Sequence, residues 1–276
     1  YILVNMSLRS RDSSQSILAP TTDPTLANYQ TAWEDAGLGR ALLNSTFVTV
    51  LSVLLVVVFG SLAAYTLARV TRAWSKVTFV VVMVGLLLPF QLGMLPLYAT
   101  IRDLGLLGSL WSLVLFYAGL QMPFGVFLYT TFLRAMPTDY EEAALLDGCG
   151  PLRAFRQVVF PLLRPITGTV IILNAVFIWN DFLTPLLYLS GTETATMPLA
   201  VSTFVAQYSS NFNVVFAGLL IGMVPVLVVY FAMQKHIIKG FSGGLKAGRA
   251  TRRPDRPHHH TRCPCRDGAA HGKGTP

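Results

Sequence analysis

The stretch ALLNSTFVTVLSVLLVVVFGSLAAYTLA, from Ala41 to Ala68, contains no Lys, Arg, Asp or Glu. A helix crosses the hydrocarbon of a bilayer with roughly 20 apolar residues, whereas a membrane β-strand alternates apolar and polar positions. No such alternation is present, so the segment reads as a membrane-spanning α-helix. Val77 to Ile101, Leu104 to Leu133 and Thr194 to Gln234 are equally free of charge, and Asp181 is the one charged residue between Arg164 and Glu193. Only helices or closed barrels satisfy the backbone in lipid. Helical spans are therefore expected over 42–68, 77–100, 109–133, 166–190 and 214–234.

Composition agrees with an all-α, polytopic membrane bundle. Of 276 residues, 53% are hydrophobic and 12% charged, and the mean hydropathy is +0.55. A soluble domain carries about 25% charged residues, so an ordinary water-soluble globule is excluded. Abundant apolar residues, glycine without a strict period and only 3 cysteines exclude disordered, collagen-like and disulfide-rich secreted chains. A net charge of +8 would suit nucleic acid, but the position of the basic residues decides its meaning. Arg69, Arg72 and Lys76, then Arg134, Arg153, Arg156 and Arg164, then the basic residues from Lys235 onward fall on one side of the predicted spans. The opposite side holds Arg9, Arg11, Arg40 and Arg102, and the loop 192–213 has none. Basic residues are retained in the cytoplasm, so the first side, with the C-terminus, is expected to be cytoplasmic. Basic charge here sets topology, and no nucleic-acid partner is indicated.

This orientation puts residue 1 outside with five complete crossings. The chain opens Tyr1-Ile2-Leu3-Val4 rather than with Met, and the expectation is that residues 1–8 are the outer remnant of a sixth, first helix. The chain then divides into 1–41, the remnant and an external segment; 42–76, a span and cytoplasmic turn; 77–235, the core with a cytoplasmic loop at 134–165; 236–248, the inner end of the fold; and 249–276, a tail. In the external segment Asp23-Pro24, followed by Leu26, Tyr29 and Trp33 at helical spacing and then Gly37, predicts a capped amphipathic helix on the membrane surface. The tail is rich in Pro, Arg, His and Gly without apolar period and is expected to be disordered. His258, His259 and His260 with Cys263 and Cys265 could ligate a metal, but no metal site is assigned, because the Cys-Pro-Cys spacing is not the usual two-residue gap and no scaffold fixes the ligands.

The loop 134–165 carries the most information. Thr138 with Glu141 three residues on predicts a capping box, hence a short helix after Pro137, with Gly148 suited to its end. Gly150-Pro151 predicts a second helix, on which Leu152, Phe155 and Val159 recur at helical spacing until Pro161 stops it. Two short helices turning back on each other would form a rigid cytoplasmic knob, fit for a groove in another protein. Composition alone favours a surface loop that merely connects two spans.

The residues in this knob resemble a known pattern. Glu142-Ala143-Ala144-Leu145-Leu146-Asp147-Gly148, then Phe155, then Val158 to Leu162 with Pro161, resemble the EAA loop of binding-protein-dependent ABC importer permeases. Phe160 stands where Leu is usual and Cys149 where Ala is common. The likeness runs from about Asn5 to Gly248. Pro24-Thr25-Leu26-Ala27-Asn28-Tyr29, Leu42-Leu43-Asn44-Ser45, Ala63-Ala64-Tyr65, Leu95-Pro96-Leu97-Tyr98, Pro123-Phe124-Gly125 and Trp179-Asn180-Asp181-Phe182-Leu183 are similar to the carbohydrate-uptake, maltose-type branch.

The resemblance implies the type I ABC importer permease fold, normally of six spans, in the cytoplasmic membrane. It implies a second permease subunit, in a heterodimer, two cytoplasmic ATPase subunits that bind ATP and Mg, and an external solute-binding protein. Glu142, Ala143, Ala144, Asp147 and Gly148, with Phe155 and Pro161, would then form the ATPase-coupling element. The solute would be a sugar or oligosaccharide moved inward by alternating access; the alternatives are a polyol or glycerol phosphate, or a stand-alone secondary carrier. A carrier would be expected to show more intramembrane acidic residues and an inverted repeat.

No cofactor or catalytic set is read in the chain itself. Gly268 to Lys273 lacks the spacing, the Ser or Thr and the preceding strand of a phosphate loop. His236 is alone, and no Ser, His and Asp motif is present, so an enzyme is not indicated. A sugar route needs hydrogen-bonding groups that compensate each hydroxyl on leaving water. Gln91, Gln121, Asn174, Asn180 and Asp181 are the candidates, with Asn174 and Asp181 two turns apart on one face. For Asp181 a cap on a helix broken near Pro185 is an equal alternative. Pro89, Pro96 and Pro123 predict kinks, and Gly218 with Gly222 predicts close helix packing.

Overall fold

The computed structural model describes residues 1–10, 19–21, 24–87, 89–146, 149–208, 211–228 and 230–231. Among these residues the regular structure is helical, and the one extended pairing is an isolated antiparallel bridge between Arg9 and Pro24. Short helices α1 (Ile2–Ser7) and α2 (Ala27–Asp35) lead into α3 (Leu38–Arg69). Then follow α4 (Ala73–Leu87), α5 (Phe90–Asp103) and α6 (Leu110–Ala135). The knob comprises α7 (Asp139–Leu146) and α8 (Pro151–Leu162), and α9 (Arg164–Asn180), α10 (Leu183–Tyr188), α11 (Met197–Gln207) and α12 (Phe212–Val228) complete the described order.

Helices α3 and α6 are each long and apolar enough to cross a membrane unbroken, and they pack on each other along their length. Glycine makes this approach possible. A Cβ added at Gly125 on α6 would lie 2.7 Å from Val56 Cγ1 on α3, and one at Gly60 on α3 would meet Met122 and the backbone at Gly125. Val53, Val56, Leu113, Val114 and Tyr117 are buried in the same core. Around it the outer faces stay apolar: Val77, Val80, Val81 and Val84 on α4 are exposed, which lipid tolerates and water penalises.

Two of the expected spans are not single straight helices. The 77–100 segment is divided into α4 and α5, whose axes differ by 98°. Pro89 stands at the N-cap of α5 in an extended conformation, and a proline there cannot donate to a preceding turn. The 166–190 segment is divided at Asp181, which leaves the helix with ψ 125°. Its carboxylate instead accepts from Leu183 N at 3.0 Å and Thr184 N at 3.4 Å, so it caps α10. By contrast, α5 runs through Pro96 and α6 through Pro123. Of the expected 214–234 span the structure describes α12, from Phe212 to Val228, which within the described residues is shorter than a full crossing.

At the α2 end, the helix begins at Ala27 with Leu26 as N-cap and no side-chain cap, later than Asp23-Pro24 suggested; Asp23 lies outside the described residues. Gly37, in the left-handed region at φ 56°, joins α2 to α3. Helices α11 and α12 pack through small residues, as the glycine spacing predicted: a Cβ at Gly218 would approach Phe204 to 3.3 Å, and one at Gly222 Val201 to 3.6 Å.

Candidate functional site

The knob is built from two short helices pressed together against the Arg69 end of α3 and the Ala135 end of α6. The first helix does not form the expected capping box. Glu141 N and Glu142 N both bond Thr138 O, at 2.8 and 3.1 Å, and Thr138 Oγ1 donates to Glu142 Oε1 at 2.9 Å. The Glu141 side chain is turned away into a buried ion pair. Arg69 Nε and Nη2 donate to Glu141 Oε1 at 2.9 and 2.6 Å, while Nη1 donates to Leu133 O at 3.0 Å. The attraction of a largely buried guanidinium outweighs the modest gain of reciprocal capping.

The two faces of α7 therefore differ. Glu141 and Ala144 are buried, whereas Glu142, Ala143 and Tyr140 are exposed and Leu146 is 89% exposed. Cys149 N donates to Ala144 O at 3.0 Å, closing the end of the helix. Asp147 and Gly148, both expected in the coupling element, lie outside the described residues. On α8, Leu152 is exposed and Phe155 is buried, its ring 5.1 Å from that of Tyr65 on α3. The small outer Ala143 and apolar Leu146 and Leu152, beside a carboxylate, form a surface that can enter a groove.

Pro161 does not stop α8. A π-helical turn over Phe155–Val159 lets Phe160 N bond Phe155 O, and the helix continues through Pro161 to Leu162. The wider turn relieves the clash between a proline ring and the preceding carbonyls. Helix α9 then departs at 74° to α8, with Pro165 in its first turn.

The sequence candidates for a solute route differ in burial and in hydrogen-bond partners. Asn174 is fully buried, its Nδ2 donating to Val170 O at 2.7 Å. Asn180 is exposed and donates to Val176 O. Asp181, at the C-cap of α9, accepts from Tyr117 Oη at 3.0 Å and Thr184 Oγ1 at 2.5 Å besides its backbone donors. Gln91 is exposed on α5 and Gln121 half-buried on α6. The tail residues His258, His259, His260, Cys263 and Cys265 fall outside the described residues, among which no cluster of metal-binding side chains occurs.

Two features were not read from the sequence. One is the Arg69–Glu141 pair, whose members are 72 positions apart and share no motif. The other is a polar cleft of about 1130 Å³ at the Leu38 end of α3, lined by Glu34, Arg40, Asn44, Phe47, Trp111 and Glu193. Asn44 Nδ2 and Ser45 Oγ fix the adjoining segment by bonding Ala195 O and Met197 N at 2.9 and 2.7 Å. Exposed Trp111 beside Phe47, with centroids 5.6 Å apart, was the available signal, but an aromatic within an apolar run reads equally as lipid-facing.

Comparison with known proteins adds to this geometry. The chain is 36% identical over 249 residues, 90% of each sequence, to the melibiose/raffinose/stachyose import permease protein of Bacillus subtilis. It is also 36% identical, over 88% of each, to the probable starch degradation products transport system permease protein of Thermoanaerobacterium thermosulfurigenes. Its fold matches, with TM-score 0.74 and 23% identity over 85% of this chain and 88% of the other, a chain from the crystal structure of a bacterial ABC transporter involved in the import of the acidic polysaccharide alginate. Residues 41–243 match the model of one family across the core, the knob and the last described helix, and the chain is a member of that family, the binding-protein-dependent transport system inner membrane components.

Proposed function

We propose that this chain is the permease subunit of an ATP-binding-cassette importer for a sugar or oligosaccharide, with the α7–α8 knob as its coupling element. The carrying observation is the division of adjacent carboxylates on α7: Glu141 is bound into the fold and Glu142 is presented outward beside exposed Ala143 and Leu146. The solutes named for the two sequence relatives, melibiose, raffinose and stachyose in one and starch degradation products in the other, support a carbohydrate as the solute. ATP and Mg would act in two separate cytoplasmic ATPase subunits. Their closure would draw this knob toward that of a second permease subunit, in a heterodimer, and open the solute cavity outward. An external binding protein would load the solute at the polar cleft beside Trp111, at the far end of α3 from the knob. Gln91, Gln121, Asn174 and Asn180 remain candidates for the route, Asn174 with a buried Oδ1 that has no hydrogen-bond partner, while both carboxylate oxygens of Asp181 already accept from Tyr117, Thr184 and the Leu183 amide.

The test places Glu142→Lys and Leu146→Glu in the assembled transporter. Both variants are expected to insert normally, lose most co-purifying ATPase and reduce uptake of labelled melibiose, raffinose and maltose by about tenfold or more, in line with loss of a central docking contact. Unchanged ATPase retention and uptake in both variants would refute the docking role.

A further inference from the structure

Arg69 is placed where three elements end. Its guanidinium, with side-chain exposure of 16%, holds Glu141 of α7 through Nε and Nη2, and its Nη1 donates to Leu133 O in the last turn of α6. Both Nη1 and Nη2 also reach Met136 O at 3.5 Å. One turn earlier on α3, Tyr65 packs its ring on Phe155 of α8. Among the described residues the other ion pair, Arg102–Asp103, joins sequence neighbours on the surface. A buried ion pair is a poor source of net stability beside the apolar α3–α6 interface, but a planar fork with several fixed acceptors defines orientation.

We infer that Arg69 is a positioning residue for transport: through Glu141 it locks the knob to the ends of α3 and α6, so that displacement of the knob is delivered to the two long helices rather than absorbed by bending of the loop. The inference rests on the proposed docking of the knob to an ATPase subunit. It assigns the two neighbouring glutamates opposite tasks, Glu142 facing the partner and Glu141 facing the helices to be moved. Lysine at 69 would keep the charge but lacks the fork that serves Glu141 and the α6 carbonyls together.

The experiment uses the complete transporter with its ATPase subunits and native cysteines replaced by serine. Nitroxide labels sit at Thr66→Cys on α3 and Gln157→Cys on α8, both exposed positions. With Arg69 and Glu141 intact, one narrow distance distribution is expected, unchanged by ATP plus vanadate. Arg69→Met, and the milder Glu141→Gln, should broaden that distribution about twofold while the ATPase subunits still co-purify, and should lower solute moved per ATP hydrolysed by about tenfold. Arg69→Lys should fall between these and the parent. Narrow distances in both Arg69→Met and Glu141→Gln, or an unaltered ratio of transport to hydrolysis in both, would overturn the lock. Loss of the ATPase subunits in Glu141→Gln would also overturn it, since the outward face is untouched by that change. Failure of the docking reading shows separately, as Glu142→Lys retaining both ATPase and uptake.

Discussion

At the scale of single residues, identical side chains acquire different work from their surroundings. Glu141 and Glu142 differ by one position, yet about 100° of helix rotation carries one to the Arg69 guanidinium and the other to solvent. Asp181 shows the same dependence. In an apolar segment a bare carboxylate is costly, but here its oxygens accept from Tyr117, Thr184 and the Leu183 amide. Asp181→Asn keeps a cap acceptor and removes the charge that strengthens these bonds. The expected result is a loss of about 1–2 kcal/mol in stability, read as a lower unfolding midpoint in detergent, with apparent affinity for the transported sugar unchanged. A shift in that affinity without a change in midpoint would move Asp181 from helix capping to the solute route.

At the scale of elements, the long helices were legible and their interruptions only in part: a cap by Asp181 on a broken helix was one of two open readings, and the structure shows it. The charge-free run through Ala41 to Ala68 dictates a helix whatever its neighbours do, and α3 extends that run at both ends. Hydropathy could not reveal the division at Asp181, because Leu183 to Tyr188 is as apolar as the helix before it; the break follows from a carboxylate finding backbone donors. Pro89 signalled a kink, but the 98° angle depends on packing that no local pattern encodes. In the knob, the apolar spacing revealed α8 while the pairing of Arg69 with Glu141 stayed hidden, since charge partners remote in sequence have no period. The α3–α6 contact supplies a sharper test of packing. Gly125→Leu must displace Val56, a β-branched side chain with few alternative rotamers on a helix, and is expected to cost about 1–3 kcal/mol. Thermal unfolding in detergent measures it, and the companion Gly119→Leu, where a Cβ meets nothing within 4 Å, should be nearly neutral.

At the scale of the whole molecule, α3 separates two chemically distinct ends. Its 32 residues span about 48 Å at 1.5 Å per residue, enough to carry Arg69 and Leu38 past opposite faces of a bilayer. The knob, with Arg153 and Arg156 exposed on α8, sits at one end, and the cleft with Glu34, Asp35 and Glu193 at the other. Retention of basic residues in the cytoplasm predicts that the knob end faces inward. Single cysteines at Leu152, 70% exposed on the knob, and at Trp33, 47% exposed on α2, convert this into a measurement when the native cysteines are replaced. A membrane-impermeant maleimide is expected to label Trp33→Cys in right-side-out vesicles and Leu152→Cys only after inversion. The reverse pattern would place the knob outside, beyond reach of any cytoplasmic ATPase, and would remove coupling and the Arg69 lock together while leaving the helical fold intact.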